Sequence, residues 1–133
     1  MRHIVVVEDD PLDAMLFRKL LERRGGFQVS LTESPEEVLR LAREGADLVL
    51  LDVSLTNSLW QGQHVTGVDI CKLLKGDPGC AKVPVVLATA HAMRGDEERL
   101  LNESGADGYA AKPVVNHDAF LALIRGLLKS EAA

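Results

Sequence analysis

Four positions along the chain carry side chains suited to handling a phosphoryl group: the pair Glu8-Asp9, then Asp52, Thr89 and Lys112, each following a short apolar run. Three carboxylates gathered in one crevice repel each other, and a hard divalent cation relieves that repulsion. Mg2+ or Mn2+ suits such a site, because these ions take few carboxylates, keep some of their waters and accept phosphate oxygens as further ligands. A lysine and a threonine hydroxyl beside the cation would hold phosphoryl oxygens. The chemistry implied is transfer of a phosphoryl group to an aspartate. Asp52 would be the nucleophile, Asp9 a metal ligand, and Glu8 a ligand acting through the metal's water, while Thr89 and Lys112 stabilise the developing charge.

These residues serve one site only if the elements before them converge. Ala46 to Val53 holds an uninterrupted Leu/Val run ending in Asp52, which suits a strand buried on both faces. Ile4–Val7, Phe27–Leu31, Val83–Ala88 and Tyr109–Ala111 read as four further strands. Between them lie helical segments. The first starts at Pro11 with Asp10 as N-cap and carries its period on Leu12, Met15, Leu16, Lys19 and Leu20. The second opens with a Ser34-Pro35-Glu36-Glu37 capping box, the third at Gly67, the fourth runs from Arg94 to Ser104, and the fifth follows Asn116. The fourth has only Leu100 and Leu101 as anchors and should pack least firmly.

Five strands alternating with five helices predict an α/β fold: a flavodoxin-like (βα)5 three-layer sandwich whose parallel five-stranded sheet has the order 2-1-3-4-5. In that order strands one and three are neighbours at the switch point, where ligands bind outside the carboxyl ends of the strands. Glu8, Asp9 and Asp52 would meet there.

Composition narrows the class. The chain has 133 residues, 47% of them hydrophobic, and a net charge of -5, which fits one domain with a real core and disfavours direct nucleic-acid binding. The apolar run at the N-terminus is too short for a signal peptide or a membrane span, so a cytoplasmic protein with no membrane insertion is expected. Met1 and the short tail Ser130–Ala133 favour a complete chain forming one domain over 1–133. Cys71 and Cys80 lack metal or redox spacing and read as inert thiols.

The ordered set of an acidic pair after the first strand, an aspartate after the third, Thr-Ala after the fourth and Lys-Pro after the fifth resembles the receiver domain of two-component response regulators. The resemblance covers essentially the whole chain and is of the stand-alone, single-domain type. It implies Asp52 as phosphoacceptor, Glu8 and Asp9 at the metal, the Ser54 backbone carbonyl as a further ligand, and Thr89 and Lys112 as switch residues. Tyr109 matches the aromatic switch position. Ser54 and His91, each two residues beyond a site residue, match positions that tune the lifetime of the phosphate. The implied donor is a sensor histidine kinase or a phosphotransfer protein. The implied output is a changed surface on the fourth helix, fifth strand and fifth helix, read by a downstream protein target or used to relay phosphate.

One segment departs from the pattern. Gly67 lies 15 positions after Asp52, so the loop of about 54–66 is extended, and Thr56 stands where proline is usual. The loop holds the lone tryptophan, Trp60, either a partner contact or lid, or an aromatic that packs the loop onto its own domain. Gly62 and Gly67 share P-loop spacing, but Val68 stands where that motif needs lysine. The alternative function is a Mg-dependent phosphatase with an aspartyl nucleophile, which would want a second carboxylate at position 54, where this chain has serine. An FMN carrier would need a phosphate-binding loop where Glu8-Asp9-Asp10 stands.

Overall fold

Along β1 (His3–Val7) successive side chains are buried into two different cores, Ile4 and Val6 on one side and Val5 and Val7 on the other. The same alternation runs through β3 (Leu48–Asp52) and β6 (Val85–Thr89), every residue of which is buried. Strands of this kind need cover on both faces, and helices supply it. The computed structural model describes residues 2–55, 58–90 and 95–128. In it β2 (Gln28–Thr32), β1, β3, β6 and β7 (Gly108–Ala111) form a parallel five-stranded sheet in the order β2-β1-β3-β6-β7. This is the expected 2-1-3-4-5 order, the two added strands belonging to a separate hairpin described below.

One face carries α1 (Pro11–Lys19) and α5 (His117–Leu127), the other α2 (Pro35–Arg43), α3 (Gly67–Gly76) and α4 (Asp96–Ser104). Asp10 caps α1 by accepting from the N–H groups of Leu12 and Asp13, and Asn116 caps α5 through Ala119. Ser34 caps α2 through the Glu37 N–H, but the capping box expected there is not closed. The Ser34 N–H donates to the Thr32 hydroxyl, which donates to Glu37. A complete box forms at α3 between Thr66 and Asp69, where the sequence reading had marked only a helix start.

The buried face of α1 differs from the expected one. Leu12, Met15 and Leu16 are exposed at 74%, 54% and 62%, whereas Ala14, Phe17, Leu20 and Leu21 face the sheet. The aromatic decides this: Phe17 stacks on Phe120 of α5 with ring centroids 5.7 Å apart, which sets the rotation of the helix. Beyond Lys19 the chain widens into a π-helical turn, Leu20–Arg24, and Gly25 follows because a Cβ there would strike the Leu21 carbonyl and the Phe27 ring.

The extended loop after β3 contains a hairpin, β4 (Leu59–Trp60) and β5 (Gln63–His64). Its two central residues, Gln61 and Gly62, have φ of 52° and 82°, the positive pair that a type I′ turn requires. Ser58 is buried and donates its hydroxyl to the Glu33 carbonyl at 2.6 Å, while Trp60 is half-buried against the core on the α2 and α3 side. Both free cysteines are buried, and burial pushes the Cys71 thiol up to about 11.

Replacing Leu12 or Leu16 by a polar residue is expected to change stability by less than about 0.5 kcal/mol, whereas Phe17→Ala should cost about 3–5 kcal/mol in urea unfolding. Equal costs would refute the assigned buried face.

Candidate functional site

Parallel strands point their carboxyl ends the same way, so Glu8 after β1, Asp52 at the end of β3, Thr89 at the end of β6 and Lys112 after β7 meet at one edge. β1 and β3 are direct neighbours, pairing Val7 with Leu51, which places the residues after each side by side. Carboxylate oxygens of Glu8, Asp9 and Asp52 lie within 4.8 Å of one another. Glu8, Asp52 and Thr89 are buried, and Asp9 is half-buried.

Lys112 ties this edge together. Its Nζ donates to Glu8 Oε1 at 2.7 Å and to Asp13 Oδ2 at 3.1 Å, and lies 3.3 Å from Asp52 Oδ1. Its backbone N–H donates to the Thr89 carbonyl at 2.8 Å. Burial alone would lower the Lys112 pKa, but the carboxylates of Glu8, Asp13 and Asp52 outweigh it and hold the ammonium above its ordinary value. Asp13 was not among the residues selected from the sequence. Its signal was its place four residues after Asp9, one turn into α1 on the side facing the strand ends.

Burial, and then the neighbouring Asp52 carboxylate, push the Glu8 carboxyl up to about 7, with the Lys112 hydrogen bond pulling the other way. One ammonium therefore faces more carboxylates than it can neutralise. The cluster has the donor set of a hard divalent ion, three carboxylates with oxygen-only chemistry. The Ser54 N–H donates to Asp52 Oδ1 at 3.2 Å, which brings the Ser54 main chain to the same cluster. Its side chain is exposed.

The other expected site residues are distributed around this centre. Tyr109 pairs with Leu87 across β6 and β7, so it shares a sheet face with Thr89, two residues beyond Leu87. Its ring is half-buried against the core on the α3 and α4 side. Trp60 lies in the hairpin, and His91 lies outside the described residues. Gly67 proves more than a helix start: its N–H donates to the Val53 carbonyl, and a Cβ there would overlap the Asp52 carbonyl oxygen.

The doubly covered parallel sheet, with three carboxylates and a buried lysine at its carboxyl edge, defines a class. The chain belongs to the response regulator receiver domain family, whose model matches residues 4–125. It is thus a receiver of two-component signalling, a class of switches rather than metabolic enzymes. Among its relatives, the polar-differentiation response regulator DivK of Brucella ovis is 39% identical over 114 residues, 85% of each chain. DivK of Brucella anthropi is 38% identical over the same length. Among solved structures it is similar to the receiver domain of the sensor histidine kinase PA1611 from Pseudomonas aeruginosa PAO1, with a TM-score of 0.78, 25% identity, and coverage of 97% of this chain and 98% of that one. That domain was crystallised with a magnesium ion coordinated in its active-site cleft. The chemotaxis protein CheY4 of Vibrio cholerae shares the fold, with a TM-score of 0.79 at 19% identity over 96% of this chain and 99% of that one.

Two outcomes follow. The raised Glu8 carboxyl keeps a proton in the folded, metal-free protein that the unfolded chain has released, so its contribution is full below pH 4.5 and is lost as pH rises through about 7. Metal-free protein should therefore lose urea resistance across that window, Mg2+ should restore it most at the alkaline end, and Glu8→Gln should flatten the profile. Gly67→Ala should cost about 1–3 kcal/mol by overpacking and weaken Mg2+ binding measured by titration of Trp60 fluorescence. Unchanged Mg2+ affinity in that variant would separate Gly67 from the site.

Proposed function

We propose that this protein is a single-domain, phosphorylation-dependent switch that accepts a phosphoryl group on Asp52 from the phosphohistidine of a sensor histidine kinase or phosphotransfer protein in the cytoplasm. The observation that carries this reading is the buried Lys112 ammonium 3.3 Å from Asp52 Oδ1, beside the acidic cluster of Glu8, Asp9 and Asp52. Asp52 is that nucleophile because it alone ends the central strand, with Glu8 engaged by Lys112.

In the transfer an Asp52 carboxylate oxygen forms a bond to phosphorus as the P–N bond of phosphohistidine breaks, and the imidazole nitrogen leaves with the electron pair. Glu8, Asp9, Asp52 and the Ser54 carbonyl would hold Mg2+ or Mn2+, which supplies charge neutralisation for the transferring group when bound. Lys112 follows the charge as it moves from the carboxylate to the phosphoryl oxygens, and Thr89 offers its hydroxyl from β6. The new dianion draws Thr89 toward it, and Tyr109, on the same sheet face, responds to the space left behind. That alters the surface formed by α4, β7 and α5, which a downstream protein partner reads or from which phosphate is relayed. Ser54 and His91 set how readily water reaches the acyl phosphate.

The exposed apolar stripe Leu12, Met15 and Leu16 supports a protein donor, since it flanks Asp13, a partner of Lys112, and monomers seldom leave such residues bare beside a reactive site. Trp60, half-buried in the hairpin of the extended loop, would be a second contact for a partner.

The test is incubation with Mg2+ and acetyl phosphate or phosphoramidate, followed by intact mass measurement. One added phosphoryl group, absent in Asp52→Asn and strongly reduced in Lys112→Ala, is the expected outcome. Continuous release of phosphate from many monoesters would instead identify an aspartyl-nucleophile phosphatase.

A further inference from the structure

The Lys112 ammonium has three N–H groups and faces three carboxylates: Glu8 at 2.7 Å, Asp13 at 3.1 Å and Asp52 at 3.3 Å. No donor is left over for a further acceptor. A phosphoryl group on Asp52 brings terminal oxygens and added negative charge to the place where Lys112 meets Oδ1. To reach those oxygens the ammonium must let one partner go. Glu8 is a costly one to abandon, because its side chain is 1% exposed and no water is at hand to take the lysine's place. The Asp13 side chain is 31% exposed, and its bond to Lys112 is the longer of the two. Water replaces the ammonium there with little loss.

We propose that Asp13 is a positioning residue that holds Lys112 in the unphosphorylated protein and yields it when Asp52 is phosphorylated, which loosens the first turn of α1 from the segment after β7. Resting on the reading of Asp52 as phosphoacceptor, this exchange carries the modification to the donor side of the molecule. Further along, Phe17 on Phe120 and Arg24 with Asp118 still tie α1 and its π-helical turn to α5. The change is therefore confined to the first turn. Leu12 precedes Asp13 and Leu16 lies one turn on, so the released carboxylate stands within the exposed apolar stripe. A partner packed on that stripe would bury an unpaired charge at a cost, which favours release of the donor once transfer is complete. The plain alternative is a helix-dipole role, since an acidic residue in the first turn of α1 is stabilising on its own. That role involves neither Lys112 nor the state of Asp52.

The test is titration of the 15N-labelled chain with beryllofluoride, a mimic of the phosphoryl group on aspartate, in Mg2+ buffer with backbone NMR. Wild-type protein should shift at Thr89 and Lys112 and also at Leu12, Asp13 and Ala14. Asp13→Asn removes the charge that competes for Lys112, so beryllofluoride should bind about fivefold tighter and the shifts in α1 should shrink. Asp13→Glu keeps a charge within reach of the lysine and should stay near the wild type. Asp10→Asn removes a neighbouring charge whose carboxylate is turned onto the N–H groups of Leu12 and Asp13, and asparagine caps as well as aspartate, so affinity should not change. Wild-type affinity in Asp13→Asn, equal tightening in Asp10→Asn or Asp13→Glu, or no α1 shifts in the wild type would each overturn the role of Asp13. If the wild type still gains one phosphoryl group by mass, those results leave Asp52 standing as phosphoacceptor. A wild type that neither binds beryllofluoride nor gains that mass overturns both.

Discussion

A single buried ammonium holds the functional edge of this molecule together. Lys112 Nζ reaches Glu8 from β1, Asp13 from α1 and Asp52 from β3, and its own backbone is pinned to Thr89 of β6. Buried like charges can share a site only if something of opposite sign lies between them, and a buried ion cluster with one member removed is strongly destabilised. Lys112 therefore does two things with one charge. It lets carboxylates from three segments approach, and it joins the outer strand β7 to the centre of the sheet.

The compensation is incomplete, and the shortfall is the useful part. Four carboxylates, those of Glu8, Asp9, Asp13 and Asp52, stand around one lysine, and the Glu8 carboxyl is pushed up to about 7 as a result of burial and of Asp52 beside it. A site with surplus negative charge has an intrinsic affinity for a hard cation, and it gains stability when one binds. The sheet beneath is rigid because β3 and β6 are buried along their whole length, so this electrostatic tension is held in fixed geometry. The α4 side is lighter: Leu100 is fully buried and Leu101 only in part. Elements with few buried anchors open at low free energy, and Thr89 and Tyr109 share the sheet face that α4 covers. Charge arriving at Asp52 thus has a rigid platform on one side and a yielding helix on the other.

Much of this was legible in the residues, because its causes are local or periodic. Apolar runs that end in Asp52 or in Glu8-Asp9 mark buried strands and their exits, and alternation with helices dictates a parallel sheet with all those exits on one edge. The family matched over residues 4–125 is the one that the spacing of those exits resembles. What was misread was decided by neighbours far along the chain. The rotation of α1 depends on the contact between Phe17 and Phe120, which periodicity within the helix cannot supply: of the apolar residues that carry the helical period, Leu20 is buried while Leu12, Met15 and Leu16 lie outward.

By itself, then, the sequence determined the fold class, the switch-point location and the identity of most charged groups there, since these follow from hydrophobic pattern and chain order. Only the tertiary structure decided that Asp13 joins Lys112, that the 54–66 loop folds into a hairpin anchored by Ser58 and Trp60, and that Gly67 sits against the Asp52 backbone. Each depends on the distance between segments remote in sequence. Such distances are set when two faces of side chains pack together, and no local propensity encodes them.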